Sequence, residues 1–181
     1  MLCSIILIQM KKIFFLPFLF LLVHAKSQLL KKYAVAKTGC AIYMFCDPGK
    51  FNLDYSEDSS KVYTATCSKE GFTYGVICAQ LKDSLTAEDD TTGLLESYLD
   101  HLKSAFDVRE ATGYGKGMHL QNREEITGII DYWQTTNKIH YAIQGWTDGK
   151  IVAVLYVSGE SQPDFNKQQL FFKGFRFPGM P

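Results

Sequence analysis

The chain has 181 residues, of which 46% are hydrophobic, 14% aromatic and 21% charged. At about 100–200 residues per domain this is one folded unit with enough apolar side chains for a core, and the composition excludes a disordered chain. Nineteen basic residues balance nineteen acidic ones, so no global field draws the chain to nucleic acid.

Lys11 and Lys12 precede an apolar run from Ile13 to Val23, and small residues follow at Ala25 and Ser27. That run suits the core of a secretory signal and falls short of the ~20 residues a bilayer-spanning helix needs. The order predicts a signal over 1–27, starting in effect at Met10, with cleavage after Ser27 or after Ala25. A single mature domain over 28–181 is expected outside the cytoplasm, periplasmic or extracellular, with no transmembrane segment. No cysteine follows the small residues, so no lipid attachment is expected. Cleavage removes Lys11, Lys12 and Lys26, leaving 16 basic against 19 acidic residues. The mature chain is mildly acidic, which argues further against polyanions.

Residues 28–39 are mixed and carry no predicted element. Cys40-Ala-Ile-Tyr-Met-Phe-Cys46 is apolar on both faces, the pattern of a central strand, and Asp47-Pro48-Gly49 ends it. Phe51, Leu53 and Tyr55 alternate with polar residues as in a half-buried strand. Val62–Cys67 and Phe72–Cys78 then read as a hairpin around Ser-Lys-Glu-Gly, with Cys67 opposite Phe72.

Export makes Cys40, Cys46, Cys67 and Cys78 candidate disulfide cysteines, since an even count in an oxidising compartment favours bridges. Cys40 and Cys46 are ~20 Å apart along one strand, and Cys67 and Cys78 are similarly separated along the hairpin. Both self-pairs exceed the ~7 Å Cα limit, so a bridge would join Cys40 or Cys46 to Cys67 or Cys78. The competing reading is four small buried thiols. No C-x-x-C or Cys/His spacing of zinc type is present, so neither metal nor cofactor is expected.

The polar run Glu88–Thr92 opens a helix whose stripe is Leu94, Leu95, Tyr98, Leu99, Leu102, Ala105 and Phe106, with an acidic first turn. Leu99 and Leu102 are expected inside. Gly113-Tyr-Gly-Lys-Gly117 reads as a flexible link before a short strand, Met118–Gln121. It lacks the flanking strand, helix and Lys-Ser/Thr of a phosphate loop. Ile126–Thr135, Lys138–Trp146 and Lys150–Ser158 are long strands, the last two joined by Asp148-Gly149. A final helix follows, with Ser161 as cap, Pro163 near its first position and Gly174 as its end. Strands, helix, strands, helix predict an α+β fold on a mostly antiparallel sheet.

Tyr43-Met-Phe-Cys-Asp-Pro-Gly-Lys-Phe51, the Gly71–Tyr74 turn, the Gly128–Thr135 strand, Val152–Tyr156 and Phe171-Phe-Lys-Gly-Phe-Arg-Phe177 together resemble the PsbP-like and Mog-like domain family. The match is a pattern over Tyr43–Phe177, and Gly174 stands where such domains often carry Ser. The resemblance implies an α/β/α sandwich around the sheet with two main helices, and a binding role without catalysis. No functional residue of the family transfers, and export removes any case for Ran.

Catalytic constellations are sparse. Gly-x-Ser-x-Gly and His-Glu-x-x-His are absent. His101 falls on a solvated helix face and His140 on a strand, where a Cys78–His140 or Ser–His pair is a minor reading. Glu124 and Glu125 are adjacent and point to opposite faces, unlike a paired acid/base site. Aromatics are concentrated on the last strands as Tyr132, Trp133, Tyr141, Trp146 and Tyr156. Ordinary packing competes there with a stacking surface for a ligand or partner.

A two-residue Asp148-Gly149 turn would pair Thr147 with Lys150, placing Tyr141, Ile143, Val152, Val154 and Tyr156 on one face. The last helix, with Phe165, Leu170, Phe171 and Phe172, is expected to dock there. His140, Gln144 and Trp146 lie on the opposite, more mixed face, which makes them the candidate ligand or partner surface. The chain reads as an exported, non-catalytic binding or accessory protein whose partner is an envelope protein or a small ligand. Two other readings remain open: a small extracytoplasmic hydrolase, and a stabilising subunit of an envelope assembly.

Overall fold

Alternating and doubly apolar strands pair here into antiparallel sheets. The computed structural model describes residues 30–86, 89–120 and 123–181, so the signal-like stretch 1–27, Glu88 and Gln121 lie outside the described residues. In chain order the elements are β1 (Lys31–Ala34), β2 (Ala41–Met44), β3 (Asn52–Tyr55), β4 (Lys61–Lys69), β5 (Phe72–Gln80), α1 (Thr91–Ala105), β6 (Val108–Ala111), β7 (Gly115–Leu120), β8 (Arg123–Thr135), β9 (His140–Thr147), β10 (Ile151–Gly159), α2 (Phe165–Phe172) and β11 (Phe175–Arg176). The large sheet runs β3-β4-β5-β10-β9-β8-β6, with β7 also paired to β8. A three-stranded sheet, β1-β2-β11, is separate from it.

Strands hold 49% of the described residues and helices 16%, so the chain is β-rich, and the expected α/β/α sandwich is overturned. The physical reason is the shortness of α2. Its eight residues cannot cover one face of an eight-stranded sheet, and the small sheet lies over that face beside it. Cys40–Cys46, expected as a central strand, contributes β2, the middle strand of the small sheet between β1 and β11.

α1 covers the opposite face. Leu95, Leu99 and Leu102 are buried against Ile77, Ile129, Ile143, Val152 and Val154. The face of β9 and β10 assigned to the last helix is therefore occupied by α1, and Phe171 and Phe172 of α2 pack on the other side with Trp146. The acidic run before α1 acts through Asp90, whose carboxylate accepts from the Gly93 amide at 2.8 Å, and no acid lies in the first turn. α2 is capped by Asp164 rather than Ser161, at 2.9 Å from the Lys167 amide.

Both hairpin registers differ from expectation by two residues. Lys69 pairs with Phe72 around Glu70-Gly71, both at positive φ, so Cys67 faces Tyr74. Thr147 pairs with Val152 rather than Lys150. The Asp148 carboxylate accepts from the amides of Lys150 and Ile151 at 2.9 and 2.8 Å, which opens the turn to four residues. A shift of two preserves the pleat, so Tyr141, Ile143, Val154 and Tyr156 still share a face.

The segment 113–117, expected as a flexible link, is tied down. Gly113 donates its amide to Asp131 at 3.0 Å, and Gly115 already belongs to β7. The fully buried Asp131 carboxylate also accepts from Trp133 Nε1 at 2.6 Å and the Tyr132 amide at 2.8 Å, with Lys103 Nζ at 3.4 Å. Tyr114 spans to α1, its hydroxyl 2.6 Å from Asp100 Oδ1 and 2.9 Å from Lys103 Nζ. A satisfied buried carboxylate thus joins α1, β8 and the 113–117 segment.

Leu99, wholly buried in α1, has no solvent route for relaxation. Leu99→Ala is expected to lower the unfolding free energy by about 2–5 kcal/mol, measured by chemical denaturation with an unchanged m-value.

Candidate functional site

Trp146 and Gln144 alternate along β9 and point away from α1, toward the space between β7, α2 and the small sheet. A groove of about 950 Å3 opens there. Trp146, Leu120 and Phe172 supply its apolar lining, and Met118, Leu170 and Tyr43 extend it. Lys173, Arg176 and His119 are its basic lining groups, with Gln144, Asn166 and Gln169 among the amides. Among the described residues neither Asp nor Glu lines it.

Trp146 is 4% exposed, and both its ring and its N–H are engaged. Nε1 donates to the Phe172 carbonyl at 3.2 Å, tying the last turn of α2 to the sheet. The six-membered ring lies over Gly128, where a Cβ would overlap it. Trp146 is therefore a floor of the groove rather than an open stacking platform. Gln144 donates its side-chain amide to the carbonyls of Ile129 and Gly145 at 2.9 and 3.1 Å, which fixes the orientation of its buried head.

Arg176 is held in place by its own neighbourhood. Its guanidinium lies 5.1 Å from the Tyr43 ring centre and donates to the carbonyls of Lys173, Phe175 and Pro181 at 2.7–2.9 Å. Lys173 follows as the exposed C-cap of α2. Leu170 is 55% exposed on the same helix. Three consecutive apolar residues, Leu170-Phe171-Phe172, span about 200° of a helix, so the core cannot take all three. Leu170 is the one left at the groove.

His140 is not brought to this site. It lies six positions from Trp146 along β9, about 20 Å, and lines a smaller cleft of about 250 Å3 with Thr112, Tyr132 and Gln162. Its Nε2 lies 3.3 Å from Gln134 Nε2. Cys78 pairs across Ala153 toward Trp146, at the opposite end of β9 from His140, so no Cys78–His140 pair forms. His119 lines the groove and His101 is exposed on α1.

The cysteines are divided. Cys46 and Cys67 form a disulfide with Cα atoms 5.8 Å apart, while Cys40 and Cys78 are free and buried. Among the described residues, no group of three or more His, Cys, Asp or Glu could hold a metal ion, and no helix is long and apolar enough to cross a membrane.

Sequence reasoning missed the β7 and α2 walls, including Met118, Leu170, Lys173 and Arg176. The crowded Leu-Phe-Phe triplet was the available signal. No family model matches the chain, and no curated protein matches it in sequence. The PsbP-like resemblance rests on its residue pattern alone.

The Gly128 notch gives a direct check on how the floor is built. Gly128→Ala forces the indole off its seat and is expected to cost about 1–3 kcal/mol, with a red shift of tryptophan emission as Trp146 gains water. An unchanged melting temperature and spectrum would contradict this packing.

Proposed function

We propose that the protein is an exported, non-catalytic binding module, and that the groove beside Trp146 takes a small amphiphilic anion with an aliphatic tail. The observation that carries this reading is the lining itself: an apolar floor bordered by Lys173, Arg176 and His119, with no carboxylate among the described residues. At about 950 Å3 the groove is at the upper end of the ~300–1,000 Å3 usual for small-molecule sites. An aliphatic tail would lie along Trp146, Met118 and Leu170, and the anionic head would meet Lys173, a charge-assisted contact. The guanidinium of Arg176, already held over Tyr43, adds positive potential without having to be ordered on binding. The binding role implied by the PsbP-like pattern agrees with this reading, and the Lys-Lys, apolar, small-residue order of 11–27 supports export.

Export is tested by the N-terminus of protein recovered from the periplasm or medium. Gln28 or Lys26 is expected at the start, and a mature protein beginning at Met1 or Met10 would overturn it. The groove is tested by calorimetry with dodecanoate, dodecanol and dodecyltrimethylammonium. Saturable one-to-one binding is expected for dodecanoate and weaker binding for the other two. Leu170→Asp and Lys173→Glu, both at exposed positions, should each weaken dodecanoate by about tenfold or more. Absence of saturable dodecanoate binding, or indifference to both substitutions, would reject the ligand class.

A further inference from the structure

Among the described residues two thiols remain outside the disulfide, and they share one buried apolar cluster. Cys40 lies just before β2, and Cys46 lies just beyond its end, bridged to Cys67 on β4. Cys78, on β5, faces the same core as Cys67, because Cys67 pairs with Tyr74 four residues along that strand. The disulfide anchors one end of β2 to the β4–β5 hairpin, and the other end, at Cys40, enters the apolar cluster that holds Cys78. Both thiols are free, and each is the leading influence on the other's ionisation. Cys40 is 3% exposed and Cys78 fully buried, both inside one apolar cluster.

We propose that Cys40 and Cys78 are a second disulfide site, closed by thiol–disulfide exchange with a low-molecular-weight disulfide, so that both ends of β2 become covalently fixed to the main sheet. The direction of attack follows from the pair. The neighbouring Cys78 thiol favours the Cys40 thiolate and holds its pKa below the ordinary value, while Cys40 and burial push Cys78 well above its own. Cys40 also sits at the more accessible end, behind a short turn. That turn is closed by the Val35 amide on the Cys40 carbonyl at 2.9 Å and the Cys40 amide on Thr38 Oγ1 at 3.1 Å.

When the turn opens, the Cys40 thiolate attacks one sulfur of the oxidant RSSR, forming a mixed disulfide and releasing RS⁻. Cys78 then loses its proton and attacks the Cys40 sulfur, expelling the second RS⁻. Two thiols are oxidised, one external disulfide is reduced to two thiolates, and two protons pass to solvent. The proposal is independent of the groove, and the two fail separately.

The test incubates the full-length protein, purified with Cys46–Cys67 intact, with oxidised glutathione, then denatures it, alkylates free thiols and maps the peptides. A Cys40–Cys78 peptide is expected, together with a rise in melting temperature of about 5 °C or more. In Cys78→Ser the second step is blocked, so Cys40 should accumulate as a glutathione adduct. Full alkylation of Cys40 and Cys78 in the wild type after oxidation would overturn the proposal, as would a Cys40–Cys67 or Cys46–Cys78 link. A Cys40–Cys78 bridge already present in protein isolated without added oxidant would support it. The wild-type mapping decides the matter even if the serine variant does not fold.

Discussion

β10 sits at the middle of the large sheet with Ile151, Val152, Ala153, Val154, Leu155 and Val157 all buried, and the rest of the fold follows from having to cover it on both sides. A strand that is apolar on both faces needs two separate apolar layers above and below its sheet. α1 provides one through its leucines. The other is composite: β1-β2-β11 and α2 share a face that neither could cover alone. The groove forms in this composite layer, where the short helix and the small sheet leave Trp146 and Gln144 incompletely covered.

The composite layer is held by specific ties as well as by burial. The Trp146 indole bonds the last carbonyl of α2, and the Cys46–Cys67 disulfide links the end of β2 to β4. Gly128 supports the first of these by omission, since only a missing side chain lets the ring lie flat on β8. Tyr156 over Gly75 repeats the arrangement on the face that α1 covers. On that side the Asp131 carboxylate gathers α1, β8 and the 113–117 segment, a polar tie that survives burial because its acceptors are met by Trp133, Tyr132 and Gly113.

Much of this was legible in the residues. The leucine stripe of α1 gave its buried phase, the alternation along β9 and β10 gave their faces, and the pairing possibilities of the four cysteines were bounded by strand geometry. The two registers were not legible, because Asp148 chooses between a two-residue and a four-residue turn through hydrogen bonds to amides beyond it. The faces survived the error because the slip was even. β1 and β6 were missed since each is only four residues long and mostly exposed, with little hydrophobic pattern to read.

By itself, the sequence determined the buried stripe of α1 and the shared faces of β9 and β10, and which local segments pair, because 3.6-residue and two-residue periodicities are written in neighbouring residues. It also carried the signal-like N-terminus and the charge balance. It did not foresee the exposure of Leu53, Tyr55, Phe165 and Leu170. Only the tertiary structure decided which helix covers which face, since Phe171 and Phe172 satisfy burial equally well on either side of a doubly apolar strand. The same holds for the groove. Met118 of β7, Trp146 of β9, Leu170 and Lys173 of α2 and Arg176 of β11 are distant in sequence, and no local pattern states that they line one space.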